Sequence, residues 1–229
     1  MARKARGKHV DVLINNVHEV DRLSQIHGQI THKGPGYKHD VQILHKSAII
    51  LLVACWEAYV EDLAVASLEH MISAAKDHTV FSKYVLERVG SNHSGVNAWK
   101  LAGTGWKKAL RDNMKGVLAR TTGVFNTPRT AQVDDLFHKT IGLPSLSSSW
   151  YWPGRSIQQT KQVLDDLVTL RGSIAHRVTS TKHVTLEHVK NARSFVYRLS
   201  VKSHNRLCEY LEIQVGNSPW PRAFFQGTK

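Results

Sequence analysis

Residues 48–68 read AIILLVACWEAYVEDLAVASL. Apolar side chains fall on every side of a helix drawn through this stretch, and only Glu57, Glu61 and Asp62 interrupt them. A helix that is apolar nearly all round is buried on most sides, so a long helix from about residue 40 to 75 is predicted as the spine of the fold. Its longest unbroken apolar run, Ala48 to Cys55, is far shorter than the roughly 20 residues that a membrane span needs. The acids need an explanation, because an unpaired charge among apolar neighbours is costly. Arg171, at the end of another apolar helix, is a potential partner for Glu57 or Glu61; the alternative is that these acids lie on a solvated face.

Working outward from the spine, Val10, Leu13, Ile14, Val17, Val20 and Leu23 recur at helical spacing and predict a first helix over about 10–27. The glycines and proline of GQITHKGPGYKHD break it. Residues 76–105 show only a weak helical pattern near Phe81–Val89, and an irregular insertion is expected there. Residues 106–120 read as a basic helix. In the following stretch Thr127 is suited to an N-cap, Pro128 to a first helical residue, and Gly142 to a helix stop. A loop, LSSSWYWPGRS, precedes a helix from about Ser156, and Thr185 is placed to cap a last helix reaching about Ile213. Periodicity of 3.6 dominates and no useful strand pattern occurs, so the class is all-α. The expected organisation is a flexible basic arm over 1–9, one helical domain over 10–213 and a tail over 214–229, docked on the body.

The 229 residues carry 31 Lys and Arg against 18 Asp and Glu, a net charge of +13. Such an excess points to a polyanionic partner, with nucleic acid ahead of an anionic membrane surface. Cys55 and Cys208 fall in apolar helical patterns and are expected as buried thiols, with neither a disulfide framework nor a zinc site. With no apolar segment behind the basic N-terminus, a cytoplasmic setting is expected.

Arg171-Gly-Ser-Ile-Ala-His176 is an R-x4-H motif. The spacing alone carries little, since Arg22/His27 and Arg88/His93 share it and Arg3/His9, Arg177/His183 and Arg198/His204 differ by one residue. Context favours Arg171/His176, the pair at the end of a strongly apolar helix. On an ideal helix the two side chains point about 140° apart. They converge only if the arginine stem bends back or the helix unwinds at Gly172 and Ser173.

The combination of LLVACWEAYVEDL, the Trp152-Pro153 loop, TKQVLDDLVTL and LRGSIAHR resembles HEPN domains, and is most similar to the RiboL-PSP branch and related bacterial toxin or defence proteins. The resemblance covers roughly residues 40–213 and maps the diagnostic R-x4-H onto Arg171 and His176. It implies a HEPN-like helical bundle with a long central helix, a homodimer that joins two motifs at one cleft, and metal-independent RNA cleavage without a cofactor. An antitoxin or regulatory protein is a further implied partner. RNA supplies its own nucleophile, the 2′-hydroxyl. A histidine can take and return protons near neutral pH, and an arginine fork suits the crowded phosphate of the transition state. Glu57, Glu61 and Ser173 are supporting candidates. Lys107, Lys108, Arg111, Lys115 and Arg177 are candidates for the RNA path, and Trp150, Tyr151 and Trp152 for packing over the core or base stacking. The resemblance has one departure: the residue after the arginine, commonly Asn or Asp in the family, is Gly172. A non-catalytic module that binds RNA or a partner protein is the alternative that this departure favours.

Overall fold

The computed structural model describes residues 5–30, 41–176 and 183–224. Seven α-helices follow one another: α1 (Lys8–Ile30), α2 (Gln42–Ala74), α3 (Lys83–Gly90), α4 (Gly105–Ala119), α5 (Thr130–Ile141), α6 (Ile157–His176) and α7 (Leu186–Val215). Short 3-10 turns lie between several of them, and no strand forms among the described residues. The all-α bundle expected from the periodicity is the fold, and none of its described helices is long and apolar enough to cross a membrane.

The spine is α2, which packs against α1, α4, α5, α6 and α7. Leu52, Val60, Leu63 and Ala64 are fully buried on it; each large aliphatic side chain so buried contributes about 1.5–3 kcal/mol from removed apolar surface. Its aromatics reach polar partners with their tips, as buried Trp and Tyr must. Trp56 Nε1 donates to the Pro128 carbonyl at 3.2 Å, and the Tyr59 hydroxyl donates to the Ser200 carbonyl at 2.9 Å. Trp150 is fully buried beside them and donates to Ser203 Oγ at 2.9 Å. Cys55 and Cys208 are both buried thiols.

Several boundaries differ from the sequence expectation, each for a tertiary reason. The start of α5 is capped from a distance. Thr130 is its first residue, and the Thr130 amide donates to Asp165 Oδ1 of α6 at 2.9 Å, so Thr127 is not the N-cap and Pro128 is not helical. The stop is as expected: Gly142 adopts φ 81° and its amide donates to the His138 carbonyl. The segment 76–105 is more ordered than expected, because Ser82 accepts from the Val85 amide and starts α3. At the N-terminus, Lys8 and His9 belong to α1 rather than to an arm. His9 is buried, with Nε2 3.1 Å from His204 Nδ1 and its ring edge against Trp220. Trp220 and Ser218 are buried, and Asn205 exchanges two hydrogen bonds with the Ala223 backbone, which docks the segment after α7 on the body. Arg3, Lys4, residues 31–40, Arg177 and residues 225–229 lie outside the described residues.

Candidate active site

The start of α6 follows from a reciprocal cap, in which Ser156 Oγ accepts from the Gln159 amide and Gln159 Oε1 accepts from the Ser156 amide. Leu164, Leu167 and Val168 bury its inner face, and the helix delivers Arg171 to the flank of α2. Arg171 Nη2 lies 3.5 Å from Glu57 Oε2, with the arginine side chain 31% and the glutamate 17% exposed. Glu57 is thus the acid that meets Arg171. Burial pushes the Glu57 carboxyl above its ordinary value, and the Arg171 charge opposes that shift. One turn along α2, burial raises the Glu61 carboxyl to about 7, with the neighbouring Glu57 and Asp62 charges adding to it. No cation lies within ion-pair distance of Glu61 among the described residues.

The helix runs unbroken through Gly172 to His176, so the unwinding that would bring Arg171 and His176 together does not occur. The intact α-helix directs the two side chains apart, by about 140° around the axis and about 7.5 Å along it. His176 is exposed and its side chain makes no hydrogen bond among the described residues. Ser173 is exposed too, and its hydroxyl donates to the Leu170 carbonyl. A Cβ at Gly172 would meet nothing within 4 Å, so packing does not require a glycine there.

The histidines of the competing motif pairs are engaged elsewhere. Arg22 pairs with Glu19, and His27 Nδ1 lies 3.1 Å from His45 Nε2. His93 Nδ1 donates to the Val89 carbonyl at 2.9 Å. Burial pushes the His9 imidazole down to about 3 and also lowers His204, its contact partner. The pair Arg177/His183 has its arginine outside the described residues.

No basic candidate on α4 forms an ion pair with Glu57 among the described residues. Lys107 is held by the Ser73 carbonyl, at the far end of α2, and Ser73 lies 16 residues beyond Glu57, or about 24 Å along the helix. Lys108 pairs with Asp112. Of the three loop aromatics, Trp150 is core, Trp152 packs on Phe195 and Arg155, and Tyr151 stays exposed under Lys202.

As expected, α2 is buried on most sides, and one face is the exception. Ile43, Ser47, Ile50, Ala54, Glu57 and Glu61 follow one another at steps of four and three, and all are partly or fully exposed. Ile43 is 59% and the adjoining Leu51 43% exposed.

The family model for RiboL-PSP-HEPN matches residues 13–217, most of the chain. No curated protein and no solved structure matches it significantly.

Proposed function

The chain belongs to the RiboL-PSP-HEPN family, and from that premise we propose that it is a cytoplasmic, metal-independent endoribonuclease of the toxin or anti-phage kind, acting as a homodimer. One observation carries the reading. Among the described residues Arg171 is anchored by a single long contact, to Glu57 at the border of the open apolar seam of α2, and exposed His176 ends the same helix. Steps of four and three are the spacing by which two helices pack knobs into holes. A second copy on this seam covers Ile43, Ile50, Leu51 and Ala54 and brings two Glu57–Arg171 pairs to one cleft.

In that cleft Glu57 positions Arg171, whose remaining donors face the scissile phosphate and stabilise its added charge. One His176 takes the 2′-hydroxyl proton. The oxygen attacks phosphorus, the P–O5′ bond breaks, and an imidazolium returns a proton to the leaving 5′-oxygen. The products are a 2′,3′-cyclic phosphate and a 5′-hydroxyl. One chain offers one such histidine and a two-fold pair offers two, which accounts for a motif whose halves diverge within a chain.

The second reading, a non-catalytic module that binds RNA or a regulatory protein, is favoured by the open space at Gly172, where a polar side chain would fit and is absent. The two readings separate in one assay. Cleavage of cellular RNA that persists in EDTA and disappears in His176→Ala supports the ribonuclease; RNA binding without cleavage supports the module.

A further inference from the structure

Between α3 and α4 the chain exposes a tryptophan. Trp99 is 79% exposed and makes no ring contact among the described residues, whereas Trp56, Trp150 and Trp220 are buried. An indole left in water loses its burial free energy unless something covers it.

Local backbone geometry holds it there. Trp99 lies on the 3-10 turn Gly95–Leu101, and the left-handed glycines Gly95 (φ 59°) and Gly103 (φ 60°) bracket that turn. The turn folds so closely onto the start of α4 that a Cβ at Gly105 would overlap the Lys100 carbonyl. Trp99 and Lys100 are therefore set beside α4 by a contact that only glycine allows.

The surroundings are cationic. From residue 95 to 120, Lys100, Lys107, Lys108, Arg111, Lys115 and Arg120 stand against Asp112 alone. Lys108, Arg111 and Lys115 fall at i, i+3 and i+7, on one exposed face of α4. Asp112 engages Lys108 only, and Lys100, Arg111 and Lys115 have no carboxylate within ion-pair distance among the described residues.

We propose that Trp99 and the α4 cations form a second RNA-binding site, in which an unpaired base stacks on the indole and Lys100, Arg111 and Lys115 hold the adjoining phosphates. Stacking platforms beside basic tracks are how proteins hold single strands without reading sequence. The proposal rests on RNA being the substrate and extends that reading. Neither Arg171 nor His176 belongs to this site, so it takes no part in bond breaking; it anchors the strand away from the cut.

The test is a fluorescence-anisotropy titration of a labelled, unstructured 20-nucleotide RNA of mixed sequence with the full chain carrying His176→Ala, so that the probe survives. Adding Trp99→Ala is expected to weaken binding about tenfold, within the range for a lost stacked base, and to leave the salt dependence unchanged. Adding Arg111→Ala with Lys115→Ala is expected to lower the slope of log affinity against log salt by about 1.4, two phosphate contacts on a single strand. In the protein with His176 intact, Trp99→Ala is expected to raise KM on long RNA and leave kcat unchanged. Unaltered affinity in Trp99→Ala overturns the proposal and leaves this surface to a protein partner; so does the absence of RNA binding. If binding follows the expectation while the intact protein cleaves nothing, the anchoring site stands and the ribonuclease reading falls.

Discussion

Among the described residues two arginine–carboxylate pairs join helices, and the two arginines are held differently. Arg193 of α7 meets Asp21 of α1 with both arms of its fork, Nε to Oδ1 at 2.5 Å and Nη2 to Oδ2 at 2.7 Å. Arg171 of α6 meets Glu57 of α2 through one nitrogen, at 3.5 Å. The side chains of the two arginines are about equally exposed. A bidentate fork is a structural brace with its best donors already engaged. A singly held fork is aimed but still has donors to give, as an arginine that receives a phosphate requires. The comparison separates a residue that holds the fold from one available for chemistry, where sequence shows only two arginines on two helices.

The largest expected effect tests that separation. Arg171→Ala and His176→Ala should each lower RNA cleavage by about 10²-fold or more, the scale of a lost general base or charge stabiliser, while circular dichroism and thermal melting stay near wild type. Arg193→Ala should do the reverse, costing about 1–3 kcal/mol of stability by leaving Asp21 without its partner and preserving kcat. Equal loss of stability in Arg171→Ala and Arg193→Ala would erase the distinction.

Next in size is the seam beside Glu57. Ala54 is exposed, so Ala54→Arg leaves the monomer core intact while placing charge on the proposed dimer face. Light scattering should then read one chain instead of two, with cleavage falling alongside. A dimer that survives this change places the interface elsewhere.

A smaller effect comes from the acids of the seam. The Glu61 carboxyl titrates near 4.5 in the unfolded chain and at about 7 in the fold. The folded state therefore holds the proton more tightly, and the stability linked to Glu61 declines as pH rises from about 4.5 through about 7. Glu61→Gln should melt like wild type at pH 4 and above it at pH 8. Smallest is Gly172→Ala, which removes a glycine from the interior of a helix at a site with open space, and should add about 0.5–1 kcal/mol.

What the sequence made legible follows the range of the interactions. The spine could be read because its apolarity is local, and α7 because Thr185 and His188 cap it within one turn. The start of α5 was misplaced because its cap, Asp165, lies 35 residues away from Thr130. The burial of His9 was illegible because its partner, His204, is 195 residues distant. In the site, the choice of Glu57 over Glu61 needed the placement of α6 on α2, and the exposure of Ile43, Leu51 and Trp99 needed the arrangement of every helix around them.

The central claim is that Arg171 and His176 cleave RNA through its own 2′-hydroxyl, and end-group analysis tests it most directly. Purified protein is incubated with mixed cellular RNA in EDTA beside His176→Ala, and the termini of the products are identified. The account predicts 2′,3′-cyclic phosphate and 5′-hydroxyl ends from the wild type and intact RNA with the variant. Ends bearing a 5′-phosphate, or the same cyclic ends from His176→Ala, would contradict it.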